Sequence, residues 1–173
     1  MTRGERKIPA DEPAPVAACR DARSRRFGHW RFLALYILGS FSGNVFSFLL
    51  SPNPSLGAST SIFGLLGAEM VFYYQNRKLF GSNARRALQN IITVAAVNLL
   101  IGLSPGIDNW GHLGGLMGGL IFSWFAGPVL ELEGVYPSFN VIDKRNMFDK
   151  LLGAGLVILL FSVLAAMKFF MAG

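Results

Sequence analysis

Two stretches of this sequence hold residue types that can do nucleophilic chemistry. One reads Gly57-Ala58-Ser59-Thr60-Ser61-Ile62-Phe63-Gly64; the other reads Asn109-Trp110-Gly111-His112-Leu113-Gly114-Gly115-Leu116-Met117-Gly118-Gly119. A serine hydroxyl attacks a carbonyl only when a neighbouring base takes its proton, and a neutral imidazole is suited to that task. Backbone N–H groups at the start of a helix have no partner within the helix, so a serine placed there has oxyanion donors beside it. Each residue also has an ordinary structural reading. A lone serine in an apolar helix commonly hydrogen-bonds a neighbouring helix, and its small size permits close packing. The soluble hydrolase elbow, Gly-x-Ser-x-Gly, is not matched, because Ser61 stands where its second glycine belongs.

The elements that must carry these residues are apolar. Of 173 residues, 52% are hydrophobic and 15% charged, against about 25% charged in a typical soluble domain. That composition excludes a disordered chain and points to membrane helices, where the 20 glycines also fit. Five apolar segments follow a tail: Trp30 to Leu50, about Ser55 to Tyr74, Ala87 to Leu103, Trp110 to Val129 and about Leu151 to Met171. Each is near the ~20 residues that cross a bilayer. The expected fold is all-α, a polytopic membrane bundle of about five transmembrane helices over residues 29–173. Residues 1–28 form a basic tail that has neither the apolar core of a secretory signal nor the acid-poor composition of a transit peptide. Cys19 has no second cysteine to pair with.

The net charge of +6 follows a pattern. Arg3, Arg6, Lys7, Arg20, Arg23, Arg25, Arg26 and Arg31 precede or open the first segment. Arg77, Lys78, Arg85 and Arg86 lie between the second and third, and Lys144, Arg145 and Lys150 between the fourth and fifth. The two alternate loops hold no Lys or Arg. This is the positive-inside pattern for five spans with the N-terminus inside, and it leaves little for a nucleic-acid role. Lys168 departs from it and is expected to snorkel. The second and fourth segments then both run from outside to inside. Ser59, about four residues into one, and His112, about three into the other, come to one depth in the outer leaflet, at ~1.5 Å per residue.

Together the two stretches resemble the rhomboid family of intramembrane serine proteases, over roughly residues 30–127. The resemblance rests on Gly57 and Ser59 opening one helix, and on His112 followed by Gly115 and Gly119 on another. It implies Ser59 as nucleophile and His112 as general base, without an acid. It also implies that Phe63 packs on the imidazole, and that Gly111, Gly115 and Gly119 bring the two helices close. Thr60 stands where the family usually has glycine; some plant plastid members look similar there, which hints at a chloroplast location. The last segment is similar to an extra helix of some subfamilies. The two helices that precede this core in the family, one with a His-x-x-x-Asn that helps hold the oxyanion, have no counterpart here: His29 is followed four residues later by Leu33. The chain reads as a rhomboid core with its first third missing or replaced.

The resemblance implies single-span membrane proteins as substrates and the lipid bilayer as surroundings, with no metal and no cofactor; it leaves the oligomeric state open. A non-catalytic relative that binds transmembrane helices and a partial gene are the competing readings. Among the remaining residues, Arg31 and Glu69 are expected to form an ion pair. Asp108 is expected to cap the fourth helix rather than orient His112. Gly39 and Gly43 are expected to pack, and Trp30 and Trp110 to mark opposite interfaces.

Overall fold

A computed structural model describes residues 27–51, 58–135 and 138–172. Its helices are α1 (Gly28–Leu50), α2 (Ser59–Gln75), the short α3 (Arg77–Phe80), α4 (Ser82–Ile101), α5 (Asn109–Ala126) and α6 (Met147–Ala172). The five apolar segments are thus five long helices, and α3 is a single turn between two of them. Gly81 makes the corner from α3 into α4 with φ 54°, a conformation glycine adopts without penalty.

Several boundaries differ from those expected. The third helix begins at Ser82, not Ala87, because Asn83, Arg85 and Arg86 form its exposed first turns: polarity marks where it leaves the apolar layer, not where the helix starts. The fourth helix stops at Ala126, before Gly127 and Pro128. The second begins at Ser59, so this serine is its first residue rather than its fifth. Gly57 and Cys19 lie outside the described residues, as do residues 1–26 of the tail.

One element departs from an all-helical reading. β1 (Leu130–Val135) and β2 (Ser138–Asp143) pair antiparallel between α5 and α6, with Leu130 opposite Asp143 and Leu132 opposite Val141. The signal was present in Leu130-Glu131-Leu132-Glu133, which alternates with the period of a strand. The hairpin is held by Asn76, the residue that ends α2. Its Nδ2 donates to the carbonyls of Phe72 (2.8 Å) and Pro128 (2.9 Å), and its Oδ1 accepts from the N–H of Leu130 (2.7 Å). Replacing Asn76 with alanine leaves the buried carbonyl of Pro128 and the partly buried N–H of Leu130 without this partner, and an unsatisfied buried group costs about 1–3 kcal/mol. Faster hydrogen exchange at the Leu130 N–H, with α2 unaffected, is the expected result.

Helix α5 is central: α1, α2 and α6 all pack on it, while α4 packs on α2. The main core joins Leu35, Leu38 and Val45 of α1 to Ala68 of α2, Phe122 and Ala126 of α5, and Val157 and Phe161 of α6. A second cluster, around Phe72, Tyr73, Phe80, Ala84 and Ile91, seats α3 and α4 on α2. Outward faces of α4 and α6 are apolar and exposed, as at Ile92, Val97, Leu159, Val163 and Phe170. Among the described residues, α1 and α6 are long and apolar enough to cross a membrane by length and composition alone. The 17 residues of α2, the polar turns of α4 and the glycines of α5 fall short of that measure.

One expectation about charges is revised. The partner found for Arg31 is not Glu69 but Asp143 of β2, at 2.6 Å (Nη1 to Oδ2). The hairpin, which apolar periodicity does not reveal, supplies the carboxylate. Lys168 has partners within the protein. Its ammonium donates to the carbonyls of Phe48 and Leu49 (2.9 Å to the latter) and lies 4.8 Å from the Phe48 ring centre. It satisfies carbonyls that the end of α1 leaves open, where a positive charge is favoured. Lys168→Met is expected to cost about 1–2 kcal/mol, read as a lowered melting temperature and earlier proteolysis after α1.

Candidate active site

The contact between α2 and α5 is made largely by backbone. A Cβ added at Gly115 would meet the Cα, C and O of Thr60, and one at Gly119 would meet the Cα, C and O of Gly64, all at or inside 3.2 Å. At Gly67 it would meet the carbonyl of Leu116 at 2.5 Å. Helix α1 closes on the same seam. A Cβ at Gly39 would come 3.2 Å from the Cα of Gly64, and one at Gly43 would come 2.7 Å from the carbonyl of Gly111. The expected packing role of Gly39 and Gly43 is therefore met.

This seam sets relative height. Thr60 lies opposite Gly115, so Ser59 and His112 belong to adjoining first turns at the same end of the bundle. The ring of Phe63 stacks on that of His112, with centroids 4.4 Å apart and planes 12° from parallel. Both side chains are buried, whereas Ser59 is exposed. No hydrogen bond joins Ser59 to His112 among the described residues; such bonds are often long before substrate arrives. The first intrahelical bond of α2 runs from the N–H of Ile62 to the carbonyl of Ala58 (3.2 Å). The N–H groups of Ser59, Thr60 and Ser61 come before it and are the ones a helix start leaves to other acceptors.

Asp108 behaves as expected of a cap: its Oδ1 accepts from the N–H of Gly111 at 3.0 Å. His112 Nδ1 is buried and has no hydrogen-bond partner among the described residues, so no carboxylate orients the imidazole from that side. Thr60 Oγ1 and Ser61 Oγ are buried without partners too. Asn109 Oδ1, at the start of α5, is buried without a partner as well; buried polar atoms are nearly always paired, so these four, on the first turns of α2 and α5, mark this end of the bundle.

Two features escaped the sequence reading. Thr60 is a wedge: its Cβ and Cγ2 fill the space that side chains at Gly43 and Gly111 would need. Asn109 ties α4 to α5, its Nδ2 donating to the carbonyl of Leu99 at 3.0 Å. The sequence signal for the first is a β-branched residue among small ones; for the second, an asparagine within a helix-start motif.

A family model described as Rhomboid domain matches residues 20–129. The chain belongs to the rhomboid family. It is 41% identical over 132 residues to "Rhomboid protease GluP" of Bacillus subtilis (strain 168), covering 76% of this chain and 24% of that protein. It is 36% identical over 115 residues to "RHOMBOID-like protein 9, chloroplastic" of Arabidopsis thaliana, covering 66% and 25%. It is also 36% identical over 94 residues to "Inactive RHOMBOID-like protein 8" of the same plant, covering 54% and 26%. The chain thus spans about a quarter of the length of these relatives. Membership makes it an integral membrane protein, and its helices a membrane bundle of the kind expected.

Proposed function

We propose that this rhomboid chain is an intramembrane serine endopeptidase that cuts single-span membrane proteins near the outer face. The observation that carries the proposal is the stacking of His112 on Phe63, one turn below Ser59, across a seam of backbone contacts. Ser59 Oγ attacks the scissile carbonyl while the His112 imidazole takes its proton, and the resulting imidazolium gives that proton to the leaving amine. Water, deprotonated by the same imidazole, then releases the acyl group and restores the hydroxyl. The N–H groups at the start of α2, which the helix leaves without partners, are the donors available to the developing oxyanion. The steps call on no metal or cofactor.

Residues 1–173 contain no His-x-x-x-Asn. Losing one oxyanion donor typically costs about 10²–10³ in rate, so slow turnover by this chain alone is expected. Covalent labelling tests the site without turnover. A serine-directed phosphonate applied to the purified chain in liposomes should label wild type and leave Ser59→Ala unlabelled. A folded wild-type sample that takes no label supports a second reading, a non-catalytic protein that binds transmembrane helices. One relative whose name says inactive favours that reading. The chloroplast address has one relative's name behind it, while another is named mitochondrial; a fluorescent fusion of the chain distinguishes the two.

A further inference from the structure

We propose that Arg31 binds a phosphate group at the inner membrane surface, as the headgroup of a phospholipid. The guanidinium spends only one corner on protein: Nη1 donates to Asp143. Its Nε and Nη2 are buried and have no acceptor among the described residues. These two nitrogens form one edge of the planar group, with parallel N–H bonds, and that edge matches two oxygens of a phosphate. Two residues after Asp143, Arg145 has a guanidinium half spent in the same way: its Nη2 donates to the carbonyl of Trp124 (2.8 Å), and its Nε has no acceptor among the described residues. The Asp143 carboxylate ties the Arg31 guanidinium to the backbone of this segment. Its Oδ1 accepts from the backbone N–H groups of Arg145 (3.0 Å) and Val129 (3.2 Å), while its Oδ2 holds Arg31.

Position supplies the ligand class. Arg31 is the fourth residue of α1, at its inner end, and its side chain is only 13% exposed. The adjoining Trp30 is 82% exposed, and exposed tryptophans at helix ends sit at headgroup level. Lys144, paired with Glu131, adds a third cation to the same hairpin. Buried guanidinium N–H groups without acceptors are costly, and the oxyanion abundant at that depth is the phosphodiester of anionic lipid. Inorganic phosphate presents the same oxygens.

The full chain is extracted from bilayers of phosphatidylcholine mixed with phosphatidylglycerol, and co-purifying lipid is read by native mass spectrometry. Wild type should retain phosphatidylglycerol, and Arg31→Lys about tenfold less, the loss of one charge-assisted hydrogen bond. Lysine keeps the charge and reaches Asp143 but lacks the two-nitrogen edge. Asp143→Asn, which frees the hairpin and leaves that edge, should retain the lipid. In a second arm, delipidated protein is titrated with inorganic phosphate. A melting shift there that Arg31→Lys lacks supports the site and makes the free ion its ligand. Equal retention by wild type and Arg31→Lys with no phosphate-dependent shift overturns the proposal. So does loss of lipid from Asp143→Asn as severe as from Arg31→Lys, because the hairpin and not the edge is then what matters.

Discussion

Gly119→Ala is expected to disrupt the bundle, and Gly155→Ala to leave it intact. The added methyl at Gly119 would overlap the carbonyl group and Cα of Gly64, all backbone, so no side-chain rotation relieves it. The helices must separate, and separation strips contacts from Gly115, Thr60 and Gly39 along the same seam. Overpacking of a tight core typically costs about 1–3 kcal/mol, and an obstruction by helix backbone belongs at or above the top of that range. At Gly155 nothing lies within 4 Å, and alanine is favoured over glycine in a helix by about 0.5–1 kcal/mol. Both variants change the chain by one methyl. A drop in melting temperature for Gly119→Ala beside an unchanged or raised one for Gly155→Ala is the expected pair. Equal melting temperatures would contradict a backbone seam.

His112→Ala should abolish phosphonate labelling of Ser59 and any cleavage of a single-span substrate. Removing the base of a serine nucleophile costs about 10⁴-fold or more, since the hydroxyl is then left protonated. Phe63→Leu separates two parts of that effect. Leucine preserves apolar volume but not the flat face on which the imidazole rests, and labelling should slow while the protein stays folded. His112→Ala labelled as fast as wild type would remove the dyad from the proposal.

How much of this was legible depends on what kind of contact sets each feature. Five helices followed from five apolar segments, because a bilayer imposes a length on sequence. Close packing of α5 followed from glycines four residues apart; that its partner is α2 came from the family resemblance and is met in the fold. Phe63 beside His112 came from the family resemblance and is met in the fold. The hairpin is hard to read from sequence because its alternation spans few residues and competes with the stronger apolar signal around it. The Arg31–Asp143 pair is hidden with it, because Asp143 reaches α1 only from the end of β2. The starts at Ser59 and Ser82 differ from the apolar boundaries, since hydropathy reports burial depth while backbone hydrogen bonding decides where a helix begins. The wedge of Thr60 depends on which face of three helices meets, and one sequence does not display that.

The seam between α2 and α5 has a further consequence, which concerns sliding. Gly111, Gly115 and Gly119 repeat every four residues, and Thr60 and Gly64 answer at the same interval. A shift of one helix by four residues, ~6 Å along its axis, would again set small residue against small residue. The seam therefore fixes the spacing of the helices but is nearly indifferent to their phase. Phase must come from contacts that do not repeat: the Phe63 ring on His112, the Thr60 wedge between Gly43 and Gly111, and the Ser123 hydroxyl donating to the Ala68 carbonyl at 3.2 Å. Two of those three lie at the Ser59 end. The side chains around the candidate nucleophile thus double as the pins that hold two sliding rods at one setting.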